Sequence, residues 1–162
     1  MTTSCAQCGC VGVRVYLLAK CSDPTCCCVE TPIQTMETLA AHVRYAMEAV
    51  DLDVMRELLA PNARWGAPEQ DVPTCRNATE ILAWYELARE NGVRAEITEV
   101  KVVKDTIVVG LKILPNAHTK AKVNTRWQVL SVHDGRIAEI RGYERRGEAM
   151  TFANSGVSQW TT

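Results

Sequence analysis

The stretch Arg126–Glu144, RWQVLSVHDGRIAEIRGYE, decides how this chain is read. Two runs of alternating apolar and polar residues meet at His133-Asp134-Gly135. Successive side chains of a strand point to opposite faces, so such alternation marks a sheet with one face covered. Asp-Gly between the runs is a hairpin signal, because the tight turn that suits a twisted sheet needs positive φ at both central positions. Upstream, Arg94–Val103, Thr106–Leu114 and Lys122–Val132 are β-branched and alternating, with Lys104-Asp105 as a turn pair. The last strand is expected over Arg136–Glu144.

Before these strands the spacing becomes helical. From Glu37, the residues Leu39, Val43, Ala46, Met47 and Val50 recur every three to four positions and make one apolar face. A second, short helix is predicted from an Asp51 cap to Leu59, stopped by Pro61, with Leu52, Met55, Leu58 and Leu59 inward. Asn62–Trp65 reads as a short strand. A third helix is predicted over Ala78–Glu90, with Ile81, Leu82, Tyr85 and Leu87 on its buried side and Asn91-Gly92 ending it. Helices first and sheet after predict an α+β fold: a cone-shaped, curved antiparallel sheet closed by three N-terminal helices.

At 162 residues the chain has the length of about one domain, with a Cys-rich N-terminal extension (1–35, expected to be poorly ordered), a main domain (36–150) and a C-terminal tail (151–162). Charge is balanced, 18 Lys+Arg against 19 Asp+Glu, which argues against a nucleic-acid partner. No apolar run approaches the roughly 20 residues of a membrane span, and Arg14 interrupts the best signal-peptide candidate, so a cytoplasmic protein without a membrane partner is expected. Seven of the eight cysteines lie in the first 28 residues. Thiolates grouped there, with Cys5, Cys8, Cys26 and Cys28 the best placed, could hold zinc or copper(I), although their spacing forms only one good half-site. The plain alternative is an extension without a metal.

Three fragments then point to a family: Ala49-Val50-Asp51-Leu52-Asp53, the run from Leu59 to Trp65 (LAPNARW), and Asp134-Gly135-Arg136-Ile137 followed by Ile140-Arg141-Gly142-Tyr143. In order and spacing, the chain over residues 36–150 resembles the nuclear transport factor 2-like superfamily, in its SnoaL-like and ketosteroid-isomerase-like branch. The resemblance implies a cystatin-like α+β barrel, a cone whose helices close an apolar pocket, and a homodimer formed on the convex face.

Parity assigns side chains to the two faces. If Gln128 points inward, so do Leu130 and Val132, and on the last strand Ala138, Ile140, Gly142 and Glu144, with Arg141 and Tyr143 on the convex side. Trp65, Ala67, Tyr85, Val43 and Met47 are further inward candidates. The expected ligand-binding set is Trp65, Tyr85, Gln128, Leu130 and Ile140, for a small apolar or polycyclic molecule and without a cofactor. The catalytic carboxylates of the family have no counterpart: Ala67-Pro68 stands where an Asp-Pro base would be, Gln128 where a second acid would be, and Gly142 where cyclases carry an Asp. Val43 occupies the place of the first-helix tyrosine.

The remaining catalytic candidates are Gln128, which can orient a carbonyl but cannot abstract a proton, Glu144 near the pocket mouth, and His42 beside the apolar face of the first helix. Their plain readings are a satisfied core amide, a solvated carboxylate and a surface imidazole. Cys75 is a lone thiol without a histidine partner, and the groupings Glu86 with Arg89 and Arg141 with Arg145 and Arg146 read as solvated charge. Three functions remain: ligand binding, with isomerase-, cyclase- or dehydratase-type turnover if catalytic; a non-catalytic dimerising scaffold; and, as a minor alternative, metal handling by the N-terminal cysteines. An open cavity supports the first.

Overall fold

The computed structural model describes residues 2–4, 11–13, 35–70, 72–116 and 123–155. The chain divides into two units, Met1–Thr35 and Met36–Thr162. In the first, β1 (Thr2–Ser4) pairs antiparallel with β2 (Val11–Val13). Cys5, Cys8, Cys26 and Cys28, the candidate metal ligands, lie outside the described residues, as do His118 and the end of the chain beyond Ser155.

The second unit runs α1 (Met36–Ala49), α2 (Leu52–Leu58), β3 (Leu59–Gly66), α3 (Ala78–Glu90), β4 (Arg94–Val103), β5 (Thr106–Leu114), β6 (Asn124–His133), β7 (Arg136–Tyr143) and α4 (Arg146–Ser155). Local signals account for most of these ends. Asp51 caps α2 by accepting from the Val54 amide, and Asn77 caps α3 by accepting from the Glu80 amide. The β6–β7 hairpin turns through Asp134 and Gly135, with φ of 50° and 75°, as its Asp-Gly pair predicts.

Helices α1 and α3 end in the same way. Beyond α3 the Val93 amide bonds back to the Ala88 carbonyl, and Gly92 takes φ 72°. Beyond α1 the Asp51 amide bonds back to the Ala46 carbonyl, and the residue in left-handed conformation, φ 52°, is Val50. Glycine is at ease there; a β-branched side chain is strained. Val50 therefore does not continue the apolar face of α1 but stands exposed at the α1–α2 corner.

The sheet is five-stranded, curved and unclosed, in the order β3-β7-β6-β5-β4. Strands β4 to β7 pair antiparallel, as expected. The short strand β3 joins β7 in parallel, and β3 and β4 are the two edges of the sheet. On the concave face, α1 to α3 cover a core of Leu39, Val43, Ile81, Ile107, Leu130 and Ile140 with their neighbours. Burying each such side chain is worth about 1.5–3 kcal/mol. A register shift between Ser131 and Val132 corrects the parity reading: Ile137, not Ala138, enters this core. Leu87, expected inward on α3, is exposed.

The convex face carries a second core, Val108, Val129, Tyr143, Ala149 and Ala153, with Met150 and Phe152 packed against it. Helix α4 supplies Ala149 and Ala153, together with Met150 and Phe152. A tail was expected to begin at residue 151; the helix runs through that boundary to Ser155. Arg141, read as solvated charge, is 1% exposed beneath α4, held by the carboxylate of Glu139 and 4.8 Å from the centroid of the Phe152 ring. Arg64 approaches the same carboxylate at 3.8 Å. A guanidinium can be buried at this depth only with such a partner. Among the described residues, no helix is long and apolar enough to cross a membrane.

Candidate functional site

Between the concave face and the helices is a cavity of about 870 Å³. Its wall at the β3 end is aromatic. The Asn77 cap fixes the start of α3, which brings Trp84 and Tyr85 over β3. The Trp65 and Tyr85 rings lie parallel with centroids 5.8 Å apart, and Trp84 meets Trp65 edge-on at 4.1 Å. Three interlocked rings make a stiff wall, each contact adding about 0.5–1.5 kcal/mol beyond area burial. Met47 and Leu52 close the helix side, and Ile97, Leu111 and Ile113 form the sheet side.

Polar groups in this apolar space are few. The Tyr85 hydroxyl donates to the Gln128 side-chain oxygen at 3.5 Å, the outer limit of a hydrogen bond. Burial pushes the Tyr85 pKa up to about 12, against a smaller opposing effect of the bond to Gln128. The phenol is thus a neutral donor throughout the physiological range. A bond this long is easily exchanged for one to a ligand carbonyl or hydroxyl. Opposite Gln128 in the β6–β7 register is Gly142, and a Cβ added there would meet nothing within 4 Å. The floor of the cavity is open at that point.

Of the expected ligand-binding set, the structure brings Trp65, Tyr85 and Gln128 together on the cavity wall. Leu130 and Ile140 do not line it; both are fully buried in the core behind it. Met47 and Ala67 line the cavity, whereas Val43 lies in the core. Glu144 is exposed at the end of β7, where it holds Arg126 at 2.8 Å. His42 is half-buried on α1 and does not line the cavity; burial lowers its pKa. Cys75 is buried and bonded through both backbone groups to Trp65, and burial, then Glu80, raises its thiol pKa. A protonated, enclosed thiol is a poor nucleophile.

The sequence offers Trp84 and Trp127 as large enough to shape a cavity, and both line it; sequence reasoning missed the arginines of the mouth, Arg89, Arg94 and Arg126. For Arg126 a signal existed, since it shares the parity of Gln128. Among the described residues lining the cavity the only carboxylate is Glu48, exposed at the mouth and bridged to Arg44 at 3.0 Å. The deep part can therefore position and polarise a ligand but holds no general base. The described residues include no group of three metal-ligating side chains.

A model of the SnoaL-like domain matches residues 39–140. No functionally curated protein matches the chain at a significant level. Solved structures share its fold. A candidate polyketide cyclase from Sinorhizobium meliloti is 23% identical, with TM-score 0.54 over 65% of this chain and 93% of that one. A candidate ketosteroid isomerase from Kribbella flavida is 14% identical, with TM-score 0.54 over 67% and 76%. A cystatin-fold protein from Novosphingobium aromaticivorans is 14% identical, with TM-score 0.56 over 65% and 94%.

Proposed function

The chain belongs to the SnoaL-like domain family, and from that premise we propose that its cavity binds an apolar, ring-bearing small molecule oriented by Tyr85 and Gln128. One observation carries the reading: an open space of about 870 Å³ is lined by Trp65, Tyr85 and Gln128 instead of being filled by the chain's own side chains. Ligand sites of this size, mostly apolar with a few polar groups, are the usual form of small-molecule pockets. The stacked Trp65–Tyr85 wall suits a flat ring, and the neutral phenol and the Gln128 amide suit a carbonyl or hydroxyl. Turnover, where it occurs, is of the isomerase, cyclase or dehydratase type and proceeds by positioning and polarisation, since the inward positions of acids in catalytic relatives are Gln128 and Gly142 here.

The experiment is titration with N-phenyl-1-naphthylamine, an uncharged probe that fluoresces in apolar surroundings. The protein should give saturable binding, and Gly142→Leu, whose side chain would enter the open floor, should abolish it while the thermal transition persists. No binding by the native protein, or equal binding by both, would overturn the reading.

A homodimer remains part of the proposal. Helix α4 occupies the convex surface of Val129 and Tyr143, so a second copy would cover the exposed apolar side chains of Trp84, Leu87 and Val93. Sedimentation equilibrium of the native protein checks it, a monomer at micromolar concentration being the contrary result.

A further inference from the structure

The charged side chains around the cavity are unequally disposed. Arg89, Arg94 and Arg126 line it against a single acid, Glu48, which Arg44 already holds. Arg126 is the best placed of the three. It lies two residues from Gln128 on the same strand, so both share the concave face at a spacing of roughly 7 Å. Nothing separates them across the sheet, because the neighbour on β7 is Gly142. Its present partner, Glu144, is an exposed side chain, and a bridge between two exposed side chains is weak. A ligand anion, brought in by its apolar body, can take the place of Glu144.

We propose that the ligand is an acid: a ring compound whose carbonyl or hydroxyl meets Tyr85 and Gln128 while a carboxylate-class anion, about one ring's width away, displaces Glu144 from Arg126. This rests on the use of the cavity proposed above and adds the charge of the ligand. Glu144 then acts as a placeholder that keeps Arg126 aimed across the mouth until the anion arrives.

The test uses two probes with one ring system. N-phenyl-1-naphthylamine is neutral, and 8-anilinonaphthalene-1-sulfonate adds an anion. The readout is the ratio of their association constants for the full-length protein. Arg126→Gln should lower the sulfonate-to-neutral ratio by about tenfold, the loss of one charge-assisted contact. Glu144→Gln should raise it several-fold by releasing Arg126, a direction that a purely structural bridge would not produce. High salt should reduce the ratio in the native protein and have little effect on it in Arg126→Gln. A ratio unchanged in both variants overturns the inference while leaving the binding reading intact. Failure of the native protein to bind either probe defeats the binding reading itself.

Discussion

The two faces of the sheet are built from the same strands and handle space in opposite ways. The convex face is packed: α4 seals Val108, Val129 and Tyr143, Arg141 is buried against Glu139, and the Trp127 ring packs so closely over Gly110 that a Cβ there would come within 2.7 Å of it. On the concave face the chain leaves a cavity and floors part of it with Gly142, where a Cβ would touch nothing. The convex layer is filled, whereas the concave side combines a packed core with an open space.

The comparison can be broken by substitution, and the largest effect is expected under α4. Glu139→Ala leaves Arg141 buried without its carboxylate and should destabilise the protein by about 3–5 kcal/mol, read from denaturant unfolding. A loss below 1 kcal/mol would mean that Arg141 escapes to solvent and that the convex face is looser than described. Next come the two glycines. Gly110→Ala should cost about 1–3 kcal/mol by forcing Trp127 and Thr98 aside, whereas Gly142→Ala should be neutral or stabilising by about 0.5 kcal/mol. Equal effects at both positions would remove the distinction between the faces. Relief of the strained helix end follows: Val50→Gly should add up to about 1 kcal/mol, since only glycine adopts that conformation without cost. Unchanged stability there would show that the Val50 side chain repays its strain by contacts at the cavity mouth.

The smallest effect concerns pH. Burial lowers the His42 pKa below that of the unfolded chain, so folding favours the neutral imidazole. That contribution is complete above the unfolded value of about 6.5. It is lost as pH falls from there through the lowered folded value. Thermal stability between pH 7 and 5 should therefore decline slightly less in His42→Gln than in the native protein.

Much of this was legible in the sequence where one local rule sufficed. Asp134-Gly135, the Asp51 cap and the Asn91-Gly92 stop each act through their own few atoms, and the observed elements follow them closely. Parity also located Gln128 and Gly142 on the inner face, and the register sets them opposite each other. What was missed was non-local. The parallel pairing of β3 with β7 leaves no mark on either strand alone. The bulge that exchanges Ala138 for Ile137 depends on the facing strand. Arg141 looks like any surface arginine until α4 is placed over it, and α4 itself is hard to see because Thr151, Asn154 and Ser155 are poor helix formers. Its only signal was Ala149 and Ala153 four residues apart beside Met150 and Phe152. Val50 was misassigned because apolar periodicity ignores backbone strain.

The parallel edge has a consequence in time. Strand β3 is made early and its partner β7 nearly last, so the contact between Leu59 and Ile137 must span most of the domain. Closing so long a segment is slow compared with forming the β6–β7 hairpin. On the ribosome, α1, α2, β3 and α3 emerge with their apolar sides uncovered and must wait for the rest of the sheet before they can settle. The chamber is therefore a late product of folding. A polypeptide truncated before β7 would lack the strand that joins β3 to the rest of the sheet and would never acquire an interior.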